Sequence, residues 1–468
     1  MRNRFFLATL AVLLLGSSPA YAQDGADPVT EAEAAPTAQP FWFGSYGRLQ
    51  PSTDFDGRRG QQTRIVWPGP RVDEGNYAEL EFGYGAVRNT DGVEVDAIAT
   101  LGFADAFFHF NRNFDSALAV RNLYAEARNL FFDDSVFWVG SRMYRGDDVY
   151  LLDFWPLDNL NTFGGGFGWR SDFTRIEWHA GVNQRMDNYQ FQVVNVIDER
   201  FVGESDVVFL DRQRFITSLK AEHQIGGRDG ELGMKAKLYG EFHGLPGGKY
   251  RWEQPRWEEE LSRDFGWLVG AQFGMWNFMP RSFLNFFIRY AGGLAAYGED
   301  AIPFGVNDEK QALGAHNLML ALSTDIETDY VGVLVGAFAR YFVDADGIDE
   351  DFDDGWDLAW SIRAMTYIGK YFTPGLEISH QMRRPNGLSP VSKTQEAANV
   401  FKVSVLPALS FGEGMYARPQ LRLNYTISFL DDAAQRLFPV DDQRREQSVV
   451  HFVGLAFEWW FNSTSYGF

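Results

Sequence analysis

The 468 residues carry 63 acidic against 42 basic side chains, a formal net charge of −21, 16% aromatic residues with 42 phenylalanines, and no cysteine. The acidic balance argues against a nucleic-acid partner, because a phosphate polyanion needs a basic surface, and without thiols disulfides cannot support an exported fold. No stretch beyond the N-terminal region reaches the roughly 18 apolar residues of a membrane-spanning helix.

Arg2 and Arg4 precede the apolar run Phe5–Gly16 and the small-x-small site Ala20-Tyr21-Ala22, a pattern that predicts a secretory signal peptide over residues 1–22. No cysteine follows the site, so lipidation by that route is excluded. Residues 23–40, "QDGADPVTEAEAAPTAQP", are rich in Ala, Pro, Asp and Glu and carry no ring, the composition of a flexible periplasmic lead-in. From Phe41 to Phe468 the aromatic pattern runs without a compositional break, which predicts one domain over 41–468.

That domain reads as β-strands. In "FWFGSYGRL", residues 41–49, side chains two apart share a face, so Trp42, Tyr46 and Arg48 line one side, and Phe41, Phe43 and Leu49 the other. "YAELEFGY" sets Tyr77, Glu79 and Glu81 against Leu80, Phe82 and Tyr84. "DLAWSIRAMT" sets Leu358, Trp360 and Ile362 against Ser361 and Arg363, and "QLRLNYTISF" sets Leu421, Leu423 and Phe429 against Arg422, Asn424 and Thr426. In the last long run, "VVHFVGLAFEWWF", Phe457 and Trp459 share one face, while Glu458 and Trp460 share the other. Between such runs, "FNRNFDS", "DADGIDEDFDDG" and "RRPNGLS" read as turns or loops.

A water-soluble sandwich would solvate one face of each strand, yet here the outward face carries Leu, Phe and Trp. Many segments of about ten residues, apolar outward and polar inward, predict an all-β antiparallel transmembrane barrel. It must close, since an unpaired sheet edge in hydrocarbon has no water to satisfy it. The ending "NSTSYGF" resembles the terminal aromatic signature of bacterial outer-membrane barrels.

Catalytic constellations are missing: the 7 histidines have no paired-ligand spacing, and neither a GxSxG elbow nor a P-loop occurs. "NTFGGGFG" around Gly164–Gly166 does not sit on a strand-to-helix turn and reads as a flexible loop rather than a phosphate cradle. The acidic run Asp344–Asp354 offers oxygen ligands for a structural calcium ion in an outer loop, but its spacing is not that of an EF-hand, so a solvated loop is the expectation. No other cofactor is expected.

Three stretches resemble the maltoporin-like carbohydrate porins of the bacterial outer membrane: "GSYGRL", "RVDEGNYAELEFG", and the long "RNLYAEARNLFFDDSVFWVGSRMYRGDDVYLLDFWPLDNL". "IRAMTYIGKYFTP", "ARPQLRLNY" and "GLAFEWW" are similar to that family's final strands, whereas residues 175–350 fit only by pattern. The resemblance implies eighteen strands, an inward-folded constriction loop and a homotrimer in the outer membrane. It also implies sugars sliding along a file of rings beside a polar track. Carried onto this chain, the rings are Tyr46, Tyr77, Trp155, Phe283 and Trp460, and the polar track is Arg48, Arg71, Glu79, Arg121 and Asp153. Strand parity independently points Tyr46, Tyr77, Phe283 and Trp460 inward.

The chain also departs from the family. Trp155 stands where the family has a constriction tyrosine, Leu430 where it has a further stacking tryptophan with Phe429 turned outward, and Gly146 where it has an arginine, Arg145 being one residue earlier. Phe114 stands near the tryptophan that a neighbouring subunit lends, and the family's first-loop cysteine pair is absent. The expected function is a passive sugar-facilitating channel. The alternative is a general diffusion porin without a sugar site, while a barrel enzyme or adhesin lacks both a catalytic group and an added domain.

Overall fold

Strands form where the alternation is strongest, and their register carries them round a closed ring. The computed structural model describes residues 40–463 apart from 90, 105–116, 201, 228–229, 254–255, 300 and 349. The signal peptide and nearly all of the lead-in expected from sequence, Phe114 and the terminal Phe468 lie outside the described residues.

Eighteen antiparallel strands make the barrel. The first six are β1 (Phe41–Leu49), β2 (Tyr77–Arg88), β3 (Glu94–Ala104), β4 (Ala117–Arg128), β5 (Ser135–Arg145) and β6 (Asn159–Arg170). Then come β7 (Thr174–Asn183), β8 (Arg214–Gly226), β9 (Gly233–Leu245), β10 (Asp264–Trp276), β11 (Phe283–Gly293) and β12 (His316–Glu327). The last six are β13 (Val331–Val343), β14 (Gly355–Thr366), β15 (Gly375–Pro385), β16 (Ala398–Leu406), β17 (Gln420–Leu430) and β18 (Val449–Phe461). β1 pairs with β18 from Ser45↔Phe461 to Leu49↔Phe457, which closes the ring.

The outward face is apolar around the circumference: Phe82, Leu123, Phe163, Trp178, Leu238, Phe286, Leu376 and Leu455 are all exposed. The inward face of the same strands carries Glu79, Thr100, Asn122, His179, Gln272, Ser361, Lys402 and Asn424, all buried. Outside, Trp459 donates its indole N–H to Ser45 Oγ at 3.0 Å and so covers the small residues of β1.

The glycine run of "NTFGGGFG" lies inside β6, not in a loop. The reason is steric: a Cβ on Gly166 would stand 2.2 Å from the indole nitrogen of Trp138. That ring stacks on His179 at 5.6 Å and beside Tyr144 at 6.0 Å, and the glycine makes room for the stack.

Connections alternate in length around the barrel. Residues 50–76, 184–213 and 294–315 lie at one end, and the short turns 89–93, 171–173 and 328–330 at the other. Long loops of outer-membrane barrels face the outside and short turns the periplasm, which orients the chain. Residues 146–158 instead fold into the lumen, where Val149, Leu152, Phe154 and Leu157 pack on Tyr239, Phe287, Met319 and Phe338 of the wall. This is the constriction loop expected from sequence.

The first outer loop, 50–76, also turns inward, and one ion pair ties it to the wall. Lys402 Nζ, fully buried on β16, donates to both oxygens of Asp73 at 2.8 and 2.7 Å. Asp73 also accepts the Thr63 N–H at 3.0 Å. Breaking a buried pair leaves an uncompensated charge at a cost of about 3–5 kcal/mol. Asp73→Asn is therefore expected to lower the guanidinium midpoint of the barrel substantially, while Asp73→Leu combined with Lys402→Met recovers most of the loss; equal midpoints for wild type and Asp73→Asn would contradict the assignment.

Candidate functional site

The register of three strands builds the heart of the lumen. Tyr46 on β1 stands opposite Trp460 on β18 and Glu79 on β2, and Arg48 stands opposite Glu458 and Tyr77. Inward parity alone thus brings two rings onto Tyr46 and places an arginine beside a carboxylate. Tyr46 stacks on Trp460 at 6.4 Å with 17° between planes, and meets Tyr77 at 6.0 Å.

Two further rings extend this file, and strand parity does not reach them. Tyr416, from the turn between β16 and β17, sits 6.4 Å from Trp460 and 6.1 Å from Phe283. Tyr150, at the tip of the constriction loop, meets Tyr416 at 5.4 Å and Trp460 at 6.2 Å. The result is a file Tyr77–Tyr46–Trp460–Tyr416–Phe283 with Tyr150 laid against its middle. Tyr77, Trp460 and Tyr416 are partly open, while Tyr46 and Phe283 are only 7% and 4% exposed.

Trp155 takes a different place. It stands beneath Arg145, whose guanidinium lies 3.9 Å from the ring centre, and makes no ring contact with the file among the described residues. Arg145 also donates to Asn159 Oδ1 at 2.9 Å. Gly146 leaves no room for the family's arginine, since a Cβ there would stand 1.9 Å from Asp158 Oδ1. Leu430 packs with Val400, Ala434 and Phe438 beneath an outer loop, and Phe429 is exposed on the outside. Among the described residues the file of rings therefore has no member at that end of β17.

The polar residues gather into two adjoining groups. In the first, Arg71 is the hub: its Nη2 donates to the Tyr46 hydroxyl at 2.7 Å, and its guanidinium lies over the Tyr150 ring at 4.7 Å. It pairs with Glu74 at 3.3 Å, Glu458 at 3.6 Å and Asp153 at 3.8 Å. Its backbone N–H donates to Leu151 O at 3.1 Å, so the first loop holds the tip of the constriction loop directly. Arg48 pairs with Glu74 at 2.8 Å and donates Nε–H to Gly75 O at 3.1 Å.

Glu458 anchors the other side. Its Oε2 accepts from the Tyr150 hydroxyl at 2.8 Å and from Arg418 Nη2 at 2.8 Å, and Arg418 lies 4.2 Å over the Trp460 ring. The second group is Tyr77, Glu79 and Arg121. The Tyr77 hydroxyl donates to Glu79, Arg121 pairs with Glu79 at 3.6 Å, and its guanidinium sits 5.7 Å from the Tyr77 ring.

Asp153 takes a left-handed conformation, φ 50°, that turns the loop tip, and its side chain keeps 40% of its exposure. Burial pushes its carboxyl up, but Arg71, Arg48 and Arg145 outweigh that and hold it below the ordinary range. Burial dominates at Glu74 and pushes it up against the pull of Arg48 and Arg71. Every charge predicted for the track is thus met by an opposite one, so the site is strongly polar with little excess charge in any one place.

All ten expected residues line the lumen or its constriction loop, and nine belong to these two groups or the ring file. Glu458 was visible by parity beside Trp460, whereas Tyr150, Tyr416 and Arg418 lie on a loop and a turn where alternation carries no information. A cavity of about 170 Å³ lies elsewhere, among outer loops, lined by Phe352, Arg383, Pro390 and Leu437.

Among solved structures, the outer membrane protein OpdK of Pseudomonas aeruginosa is similar at 11% identity and a TM-score of 0.41, over 90% of this chain and 98% of that one. OpdL of Pseudomonas aeruginosa is similar at 10% identity and a TM-score of 0.44, over 90% and 98% of the two chains. OccD3 (OpdP) of the same organism is similar at 10% identity and a TM-score of 0.45, over 91% and 92%. No curated protein matches the chain. The family model described as LamB porin matches residues 43–461, nearly the whole barrel. The chain belongs to the LamB porin family and is a passive diffusion channel of the bacterial outer membrane.

Proposed function

We propose that this porin carries carbohydrates, maltodextrin-like oligosaccharides or other sugars, along its ring file, and that it works as a homotrimer. One observation carries the reading: five rings from β1, β2, β11, β18 and a periplasmic turn follow one another with centres 6.0–6.4 Å apart, at the level where the constriction loop narrows the lumen. A pyranose has apolar C–H faces that stack on rings, and an equatorial belt of hydroxyls that needs donors and acceptors. Tyr77, Trp460 and Tyr416 would offer the stacking faces, Arg48, Arg71 and Arg121 the donors, and Glu79 and Asp153 the acceptors. Transport needs such shallow, repeated binding, because a single deep site would hold the sugar instead of passing it.

Paired charges suit this task. An arginine already satisfied by a carboxylate exchanges one partner for a sugar hydroxyl at small net cost, since only the surplus over the existing bond is gained. Trp155, capped by Arg145, would act as the side wall of the narrowest part and not as a member of the slide.

The second reading is a general diffusion porin in which the same rings serve to seat the constriction loop. The burial of Tyr46 and Phe283 favours it. The two readings part on saturable block of ion current. Titrating maltodextrins and sucrose against the conductance of the reconstituted protein is expected to give saturation. Trp460→Ala is expected to weaken the apparent affinity about 2- to 10-fold, from the loss of about 0.5–1.5 kcal/mol of stacking. Linear, unsaturated behaviour with every sugar would leave the general porin.

The clamp on the constriction loop has its own test. Arg71→Met removes the charge-assisted bonds to the Tyr46 hydroxyl and, at 3.4 Å, to the Tyr150 carbonyl, each charged bond being worth about 1.5–3 kcal/mol. Single-channel conductance is expected to rise and to fluctuate as the loop tip loosens; a quiet, wild-type current level would show that Arg418 and Glu458 hold the loop without it.

A further inference from the structure

The outer loop 344–354, between β13 and β14, differs from the solvated acidic loop expected from sequence. Asp344 and Asp354 are only 4% and 1% exposed, and Asp351 is partly buried beside them. An oxygen from each of the three lies within 4.8 Å of the others. Each carboxylate uses one oxygen on a backbone N–H. Asp346 N donates to Asp344 Oδ1 at 3.0 Å, Asp344 N to Asp354 Oδ1 at 2.7 Å, and Asp354 N to Asp351 Oδ1 at 3.0 Å. These bonds orient the side chains and leave the second oxygens of Asp344 and Asp354 over.

Asp344 Oδ2 and Asp354 Oδ2 are buried and accept no hydrogen bond among the described residues. The neighbouring Arg383 is turned elsewhere, to Asp357 Oδ1 at 3.5 Å and to the carbonyl of Asp353 at 3.2 Å. Gly305, from the loop 294–315, closes the far side: with φ 54° and no side chain it lies flush against Asp344, where a Cβ would stand 1.6 Å from Oδ2. Ala345 N donates to Gly305 O at 2.8 Å, and Asn386 N, from the loop after β15, donates to Asp354 O at 2.9 Å.

We propose that Asp344, Asp351 and Asp354 bind a calcium ion that fastens three outer loops together at the mouth of the channel. Buried anionic oxygens without donors are unfavourable, and a divalent cation is the partner that satisfies several at once. The donors are all oxygens, which selects a hard cation over the metals that prefer imidazole or thiolate. Carboxylates set on converging loops suit calcium, which takes about 6–8 oxygens in a flexible geometry, better than magnesium, which demands a near-ideal octahedron. Backbone carbonyls of the converging loops and water would complete the shell. The site faces the medium, where calcium sites of modest affinity suffice.

The test is calcium titration by calorimetry of the full-length protein in detergent, stripped of lipopolysaccharide and of divalent ions, with magnesium run in parallel. One calcium ion per chain is expected in the range of about 0.1–1 mM, as for other extracellular modules, with magnesium at least about tenfold weaker. Asp351→Asn, the less buried position, is expected to weaken calcium by about tenfold or more while the heat-modifiable migration of the folded barrel stays unchanged. Asp354→Asn serves as the second variant, and proteolysis within 344–354 is expected to slow when calcium is added to wild type. Absence of calcium uptake by the wild type at about 10 mM, or wild-type affinity in Asp351→Asn, overturns the proposal.

Discussion

Hydrocarbon offers the backbone no hydrogen bonds, and almost everything else in this molecule follows from that. A sheet that meets lipid cannot end, so β1 must pair with β18, and the first and last thirds of the chain are forced to be neighbours. That closure places Tyr46 against Trp460 and Arg48 against Glu458, although more than 400 residues separate each pair in sequence. The lumen site is assembled at the seam of the barrel, where the chain's two ends meet. Its strand residues fall into place through register, without any local motif.

Inside the barrel the opposite pressure acts. Inward side chains are polar, and a lumen crowded with unpaired charge would be costly, so arginines and carboxylates are interleaved: Arg71 with Glu74 and Glu458, Arg363 with Glu377, Lys237 with Asp147. The pairs also do mechanical work. Arg71 belongs to the first outer loop, yet it bonds the backbone of the constriction loop and the phenol of β1, so two loops and a strand share one cation. Arg418 repeats the arrangement from the periplasmic side, reaching Glu458 together with Tyr150. The constriction is therefore held from above and below by charges that also line it.

How much of this the sequence discloses depends on whether a residue sits on a strand. Period-two alternation fixes the face of Tyr77, Glu79, Arg48 and Trp460, and the closed barrel with its outward Leu and Phe can be read from the same pattern. Tyr416 and Tyr150 lie on a turn and on a short 3-10 segment, where side-chain direction depends on tertiary packing against Phe283 and Trp460. The same limit explains the glycine run at 164–166, which composition suggests is a loop. Its small residues are demanded by the Trp138 ring on the neighbouring strand, a contact that no local propensity records. The acidic loop misleads in the opposite direction, because carboxylates that look solvated by composition are turned inward by three backbone N–H bonds.

The uneven exposure of the ring file bears on how such a channel would work. Tyr77 and Trp460 are partly open, whereas Tyr46 between them is buried and its hydroxyl is held by Arg71. On the proposed reading a sugar moving from Tyr77 toward Tyr416 would pass Tyr46, whose hydroxyl is already held by Arg71. Competition at that point would be between a sugar hydroxyl and the Tyr46 phenol for the same guanidinium, an exchange of one hydrogen bond for another with little net energy. On the proposed reading Arg71, which ties the loop tip to β1, would also be the group whose bond a passing sugar trades. On that reading sugar binding and the position of the loop tip would be coupled, because an exchange at Arg71 would release the bond that ties the phenol of β1 to the first loop.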